Sequence, residues 1–296
     1  MKPVVFKGAG VAIATPFFPD GTVNYDCFGK MIDWQIAEGT DAIVVMGTTG
    51  EASTCDDAEH LEVIRYCVER TNKRVPVIAG VGSNNTHHGI ELSKGAMSAG
   101  ADALLHVTPY YNKTNQQGLI AHFSAMAKAV DLPIILYNVP GRTGMTIRPE
   151  TYLALSKIPN IVATKEASGD FSLAAKTASL CGDDLALYSG NDDQVVPILS
   201  LGGLGVISVV SNVLPKEMHE MCKAYLEGDV KKATKLQLDL IPMSDALFCD
   251  VNPIPVKEAL NQLGWDAGVL RAPLAETSAS NKEFIRQTLA SYGLLS

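Results

Sequence analysis

Residues 161–169 read IVATKEASG, a short apolar and β-branched run that ends in small and polar residues. A continuous apolar run of this length is typical of a strand that is covered on both faces, as in a parallel sheet. Seven similar runs occur along the chain, and amphipathic stretches typical of helices separate them. They span residues 10–17, 41–47, 75–82, 101–109, 132–140, 185–191 and 205–210.

Eight strands that alternate with helices predict an α/β protein with a (β/α)8 TIM barrel. The helix-like segments include residues 56–71 and 84–99. A doubly wound sheet is the alternative, but its glycine-rich GxGxxG turn does not follow the first strand, where Ala14-Thr15-Pro16-Phe17 stands instead. The sequence therefore favours the barrel.

The strand signal stops at residue 228, and only helical patterns follow. We therefore expect a catalytic barrel domain over residues 1–228 and a small C-terminal helical domain over residues 229–296. Helices are predicted in this second domain over residues 230–247, 255–263 and 282–292.

The bulk composition excludes several classes of partner. The chain has 296 residues, 47% of them hydrophobic, and a formal net charge of −8 at pH 7. An acidic chain of this kind is not expected to bind nucleic acid or an anionic membrane. No run approaches the ~18 apolar residues that cross a bilayer. The apolar stretch at residues 4–14 resembles a signal peptide, but Gly8 and Gly10 interrupt it, which favours a first strand.

The cysteines and histidines indicate neither a disulfide framework nor a metal site. Six cysteines are scattered without a CxxC pair, as expected for free thiols in a reducing cytoplasm. The six histidines form no HExxH motif, and His87-His88 is interpreted as part of a solvated helix face. We expect no dedicated metal site.

Lys165 is the unusual residue of the first quoted stretch, because lysine is rarely buried without a partner or a task. Burial lowers the pKa of an amine, so that part of it is neutral and nucleophilic near pH 7. Strand alternation places Ile161, Ala163 and Ala167 on the inner face with Lys165, and Thr164 and Glu166 on the helix side. An ion pair with an acid on another strand remains the alternative.

Barrel enzymes carry their chemistry at the carboxyl ends of the strands, where other polar residues also collect. Several of them have a structural alternative. Thr48 and Thr49 could cap a helix, and Tyr110 and Tyr111 could form an aromatic surface pair. Tyr137 could be a core tyrosine, whereas Arg142 could be a surface residue or could bind a carboxylate through its guanidinium fork. The residues at these strand ends are Thr48, Thr49, Tyr110, Tyr111, Tyr137, Arg142, Gly190, Asn191 and Asp192.

Several motifs together resemble the dihydrodipicolinate synthase family of the pyruvate-dependent class I aldolases, a superfamily that also contains N-acetylneuraminate lyase. The resemblance implies a cytoplasmic homotetramer, a dimer of dimers, that needs no cofactor beyond an imine with its substrate. It implies condensation of pyruvate with L-aspartate 4-semialdehyde to 4-hydroxy-tetrahydrodipicolinate, in the diaminopimelate route to lysine. The motifs are GTTGE (47–51), TPYYNK (108–113), YNVPGRTG (137–144), ATKEASG (163–169), GVISV (205–209) and NPIPVK (252–257).

The same resemblance implies a role for individual residues. Lys165 would form the Schiff base, Tyr137 would donate and accept protons, and Thr48 and Tyr111 would complete a proton relay. Tyr111 would reach across a dimer interface into the neighbouring site. The residues that would contact substrate are Thr49 and the backbone of Ile207 for pyruvate, and Arg142 for the carboxylate of the semialdehyde.

Other functions remain as alternatives. A sialic-acid or keto-sugar lyase of the same superfamily is the alternative among the aldolases, and Arg142 argues against it because a compact substrate with its own carboxylate needs such a residue. A metal-dependent aldolase and a non-catalytic metabolite-binding barrel are the alternatives from other classes.

The resemblance also implies a regulatory lysine pocket at the dimer interface, with two departures from the lysine-sensitive pattern. His88 stands where sensitive members carry an acid, and Asp57 stands where they carry histidine. Asn84 and His88 are expected to share one helix face. An imidazole is not a carboxylate partner for an ammonium group, so we expect feedback inhibition to be weak or absent. The matching pocket residues are Ser53, His60, Asn84 and Tyr110.

Overall fold

Eight parallel strands form a closed barrel in the computed structural model, which describes residues 2–295. Each strand pairs with the next along the chain, and the last pairs with the first. The predicted (β/α)8 barrel is therefore confirmed, and the open doubly wound sheet is wrong. The strands are β1 (Gly8–Ala12), β2 (Ala42–Val45), β3 (Val77–Gly80), β4 (Ala103–Val107), β5 (Ile134–Asn138), β6 (Ile161–Glu166), β7 (Ala186–Ser189) and β8 (Gly205–Ser208).

Helices follow the strands, and most of them cover the outside of the barrel. Several begin at an asparagine or aspartate whose side chain accepts a backbone N–H of the first turn, as Asp56 does from Glu59 at 2.9 Å. They are α1 (Tyr25–Ala37), α2 (Asp57–Thr71), α3 (Thr86–Ser98), α4 (Gln116–Ala129), α5 (Pro140–Thr143), α6 (Pro149–Leu155), α7 (Phe171–Cys181), α8 (Val195–Ser200) and α9 (Pro215–Leu226).

Two glycines allow the first and last strands to approach closely. Gly205 in β8 pairs with Gly8 in β1. A Cβ on Gly205 would lie 1.9 Å from the carbonyl oxygen of Gly8, and Gly205 has φ +157°. No side chain fits between these backbones, so glycine at 205 is a condition for closing the barrel.

The apolar core has an inner and an outer part, and one prediction about them is wrong. Ala163 lies in the inner cluster as expected, but Ile161 lies in the outer cluster. The pairing of β5 with β6 shifts between Ile134 and Ile135, so that Val162 is passed over and joins the inner cluster. This irregularity reverses the alternation before Ala163 and leaves Lys165 on the inner side.

The C-terminal region is helical, and no strand occurs between residue 209 and residue 295. The single helix expected over 230–247 is wrong, because the chain turns at Leu240 and Pro242 opens a second helix. The boundary at residue 228 stays a prediction. The helices are α10 (Val230–Asp239), α11 (Ile241–Leu247), α12 (Ile254–Gln262) and α13 (Ala279–Ser291). Within residues 2–295, none of the helices has the length and apolarity that crossing a membrane requires.

Candidate active site

Lys165 lies on the inner wall of the barrel, one residue before the carboxyl end of β6. In β6 it pairs with Tyr137 of β5 and Tyr188 of β7. Its Nζ is 4.4 Å from the centroid of the Tyr137 ring, and only 6% of the residue is exposed. Gly190 leaves room for this side chain, since a Cβ there would lie 3.1 Å from the Lys165 Cε and 2.7 Å from the Ala167 Cβ.

The surroundings of Lys165 favour the neutral amine. Burial lowers the pKa of Lys165 to about 8, and the positive charge of Arg142 acts in the same direction. The carboxylate of Asp192 opposes this shift, but no ion pair within 4.0 Å joins Lys165 to any acid in residues 2–295. The geometry therefore does not support the alternative interpretation, in which Lys165 forms an ion pair with an acid on another strand.

Tyr137 is the aromatic neighbour of this amine. Burial raises the pKa of the Tyr137 phenol to about 12, while Arg142 acts against that shift. The phenol is therefore protonated at neutral pH and can donate a hydrogen. Its hydroxyl forms no hydrogen bond with a side chain in residues 2–295, so the group is not committed to a structural partner.

The relay expected from Tyr137 through Thr48 to Tyr111 is not assembled within the described chain. Thr48 is exposed, and Tyr111 is 92% exposed at φ +70°. A bulky exposed aromatic residue in left-handed backbone geometry is costly for an isolated chain. Both residues nevertheless lie on loops at the carboxyl end of the barrel, the end that Lys165 approaches.

The loop after β2 is held in a fixed shape. Met46 and Glu51 both have positive φ values, of 54° and 56°, and they flank the turn formed by residues 47–50. The Glu51 amide donates to the Thr48 carbonyl at 3.1 Å. Thr49 is buried and its hydroxyl accepts a hydrogen bond from Asn252. Strained backbone that surrounding contacts fix in place is common at functional sites.

Arg142 lies in the short helix α5, directly after β5. Its guanidinium is at the mouth of the barrel, and its Nη2 donates to the Asn252 carbonyl at 3.1 Å. This bond uses one of the guanidinium N–H groups, and the others can still bind a carboxylate.

Ile207 and Asp192 form the wall near β8. Ile207 is buried and pairs with Gly10 of β1. Asp192 follows the end of β7, and the sequence predicts no particular role for it. Its Oδ2 accepts the amides of Val209 and Val210 at 3.0 and 3.1 Å, and so fixes the turn after β8. Its position after a strand end was the available signal.

Two further residues that the sequence analysis missed lie in the C-terminal region. Asn252 and Lys257 belong to the quoted NPIPVK stretch, yet no role was inferred for them. Asn252 contacts Thr49, and Lys257 pairs with Glu51 at 2.9 Å. A lysine and an asparagine in an otherwise apolar segment were the signal that could have identified them.

The residues matched to the regulatory pocket lie around the loops after β2, β3 and β4. His60 is buried with its Nε2 2.8 Å from the Gly80 carbonyl, Ser53 is exposed, and Asn84 donates to the Tyr110 carbonyl at 3.2 Å. The expectation that Asn84 shares a helix face with His88 is wrong, because α3 begins only at Thr86.

His88 and Asp57, the two departures from the lysine-sensitive pattern, contact each other. The Nε2 atom of His88 is 2.8 Å from the Asp57 Oδ1, and its Nδ1 is 3.0 Å from the Ser83 hydroxyl. The Oδ1 atom of Asp57 is therefore already paired with an imidazole. No cluster of three or more metal-ligating side chains occurs in residues 2–295.

A TIM barrel with a buried, unpaired lysine on its inner wall defines a lyase of the class I aldolase type, which works through a lysine Schiff base. Residues 5–292 match the model of the dihydrodipicolinate synthetase family, and the chain belongs to that family. Its activity is that of a 4-hydroxy-tetrahydrodipicolinate synthase, in the diaminopimelate route to lysine.

Relatives and solved structures agree with this assignment. The 4-hydroxy-tetrahydrodipicolinate synthase of Thermoanaerobacter pseudethanolicus is 56% identical over 292 residues, which cover 98% of each chain. The dihydrodipicolinate synthase from Acinetobacter baumannii, solved as a chloride-inhibited complex with pyruvate, superimposes with a TM-score of 0.96 at 43% identity and covers 99% of this chain and 100% of its own. The enzyme from Cyanidioschyzon merolae, solved with lysine bound, gives 0.96 at 41% identity, with 99% and 100% covered.

Proposed function

We propose that the Lys165 amine carries the activity by bonding covalently to pyruvate. The neutral Nζ attacks the keto carbon, and loss of water gives an iminium ion. The adjacent methyl group then loses a proton to form an enamine, which attacks the aldehyde carbon of L-aspartate 4-semialdehyde. The amine of that substrate displaces Lys165 and closes the ring. The observation that carries this proposal is the desolvated and unpaired state of Lys165 beside Tyr137.

Tyr137 is proposed as the group that moves protons during these steps. Dehydration of the first adduct needs a proton on the departing oxygen, and enamine formation releases one from the methyl group. A phenol beside the reacting nitrogen can supply and recover such protons, an effect worth about 10²–10⁴-fold in rate. Thr48 and Tyr111 would connect it to solvent, and Thr49 and Ile207 would bind the pyruvate carboxylate.

Arg142 is proposed to bind the carboxylate of the semialdehyde, and its removal should separate the two substrates. In Arg142→Ala we expect KM for the semialdehyde to rise about 10–100-fold, since a charge-assisted bidentate contact is worth about 1.5–3 kcal/mol. Borohydride trapping with pyruvate alone should proceed as in the wild type. Steady-state kinetics and trapping on the same preparation check this.

The substrate choice is tested by assaying the enzyme separately with the two candidate substrates. The purified enzyme is offered pyruvate with L-aspartate 4-semialdehyde and, separately, N-acetylneuraminate. Turnover only with the semialdehyde supports the proposal. Cleavage of N-acetylneuraminate would indicate a sialic-acid or keto-sugar lyase instead, and an unchanged KM for the semialdehyde in Arg142→Ala would contradict the proposed role of Arg142.

The pH dependence of imine formation should follow the Lys165 amine. Because burial lowers its pKa to about 8, the neutral nucleophilic fraction increases about tenfold per pH unit below that value and levels off above it. Stopped-flow measurements of pyruvate binding between pH 6 and pH 10 should therefore show a rising limb that bends near pH 8. A flat profile would contradict a titrating amine nucleophile.

We propose that the chain assembles as a homotetramer, a dimer of dimers, in the cytoplasm. The exposure of Tyr111 and its strained backbone support a partner subunit that covers this residue and shares the site. All six cysteines are free thiols, which supports a reducing compartment. Neither nucleic acid nor membrane is proposed as a partner.

No metal or organic cofactor is proposed, because the iminium ion itself withdraws the electrons that the carbon–carbon bond step requires. Activity should therefore survive prolonged treatment with a chelator, whereas a metal-dependent aldolase would lose it.

Lysine is proposed to be a weak inhibitor. Ser53, His60, Asn84 and Tyr110 would form the pocket, but one oxygen of the Asp57 carboxylate is already paired with His88, which weakens its attraction for an ammonium group. We expect half-maximal inhibition above about 1 mM lysine, which corresponds to no more than about 4 kcal/mol of binding free energy. An inhibition curve with a midpoint well below that concentration would contradict this.

A further inference from the structure

Asn252 joins the C-terminal region to two loops of the active-site end of the barrel. Its side-chain Nδ2 donates to the Thr49 hydroxyl at 3.0 Å, and its backbone carbonyl accepts Arg142 Nη2 at 3.1 Å. The residue is only 6% exposed. One residue far along the chain therefore contacts both of the side chains proposed to bind the two substrates' carboxylates.

The direction of the bond to Thr49 decides what that hydroxyl can do. The asparagine N–H donates, so the threonine oxygen accepts and its own hydrogen stays available for another acceptor. The Asn252 Oδ1 has no hydrogen-bond partner in the described chain although it is buried. Leaving this buried oxygen without a partner costs free energy.

Buried charges also attach the C-terminal region to the loop after β2. Lys257 bonds to Glu51 at 2.9 Å, with 1% or less of either side chain exposed, and the Arg271 amide donates to the other Glu51 oxygen at 3.0 Å. Glu51 lies two residues after Thr49. The loop after β2 is thus attached to the C-terminal region at two points.

We propose that Asn252 is a positioning residue that turns the Thr49 hydroxyl into an obligate donor to the carboxylate of the 2-oxoacid. Without it, the hydroxyl is free to rotate and to donate elsewhere. The inference rests on the proposed role of Thr49 in binding pyruvate. The bond from Arg142 goes to the backbone carbonyl of Asn252, so substitution of the side chain separates the two contacts.

Two substitutions of Asn252 are expected to raise KM for pyruvate by different amounts, and their order tests the proposal. In Asn252→Ala we expect KM for pyruvate to rise about 3–10-fold, the value of one hydrogen bond, with kcat and KM for the semialdehyde changed less than about twofold. In Asn252→Asp the hydroxyl would donate to the new carboxylate, which would also repel pyruvate, so KM should rise further than in Asn252→Ala. An Asn252→Asp variant equal to or milder than Asn252→Ala would overturn the proposal.

Thr49→Val and the double variant Thr49→Val, Asn252→Ala distinguish the positioning role of Asn252 from the pyruvate-binding role of Thr49. If Asn252 acts through Thr49, Asn252→Ala should raise KM for pyruvate little in the Thr49→Val background, whereas additive effects would overturn the inference. If Thr49→Val alone leaves KM unchanged, the pyruvate-binding role of Thr49 is wrong and the inference is wrong with it, while borohydride trapping on Lys165 would still support the proposed function.

A matched asparagine at the other end of the barrel controls for general loss of structure. Asn160 donates to the carbonyls of Ala127 and Val130 at 2.9 Å each, before β6 begins. Asn160→Ala should lower the melting temperature without changing KM for pyruvate. A rise of KM in this variant equal to that in Asn252→Ala would show that loosening of the barrel, and not Asn252, causes the effect.

Discussion

Replacing Lys165 by methionine is expected to lower kcat by about 10³-fold or more, because no other group in the site can form the imine. Methionine matches the apolar stem of lysine up to the ε position and lacks only the amine, so most of the inner wall stays filled. The variant also removes a buried amine that is unpaired, and its melting temperature should therefore equal or exceed that of the wild type.

Exposed Lys216 in α9 offers the matched control. Lys216→Met should retain wild-type kinetics, so that the loss in Lys165→Met is assigned to the position and not to the change of residue type. Residual turnover above about one tenth of wild type in Lys165→Met would show that the reaction does not pass through this amine.

The second large effect is expected from Lys257→Met, in stability and not in chemistry. Its Nζ pairs with Glu51, lies 4.3 Å from the centroid of the Phe17 ring and donates to the Val269 carbonyl. Removing one partner of a buried pair leaves an uncompensated charge and costs about 3–5 kcal/mol. The melting temperature should fall by roughly 6–20 °C, measured by calorimetry or circular dichroism.

The double variant Lys257→Met, Glu51→Gln tests the stated reason. This variant also removes the Glu51 carboxylate, which has no lysine partner in Lys257→Met, so it should be more stable than Lys257→Met alone. The exposed pair of Lys94 and Glu91 provides the comparison, and Lys94→Met should cost less than about 1 kcal/mol. A drop of less than about 2 °C in Lys257→Met would contradict a structural role of the pair.

The barrel was predictable because each strand is a buried apolar run. Such a run can be identified in the sequence without knowing which strands lie beside it. Lys165 was predictable for the same reason, since a lysine inside such a run contrasts with its surroundings. The face of β6 on which Ile161 lies was not predictable. It depends on a register shift between β5 and β6, and the residue pattern of β6 alone does not show that shift.

The contacts of the C-terminal region were also beyond sequence reasoning. Asn252 and Thr49 are separated by 203 positions, and a hydrogen bond between them follows only from the path of the chain over the barrel. Likewise, the pairing of His88 with Asp57 joins two separate helices. Local patterns predicted the elements and the lysine, whereas the second layer of contacts around the site is set by tertiary packing.

The most direct test of a covalent lysine is reduction of the enzyme with borohydride in the presence of pyruvate, followed by peptide mapping. The account predicts one adduct, with the mass of pyruvate less one water plus two hydrogens, on the peptide that contains Lys165, and none in Lys165→Met. An adduct on another lysine, or none at saturating pyruvate, would contradict it.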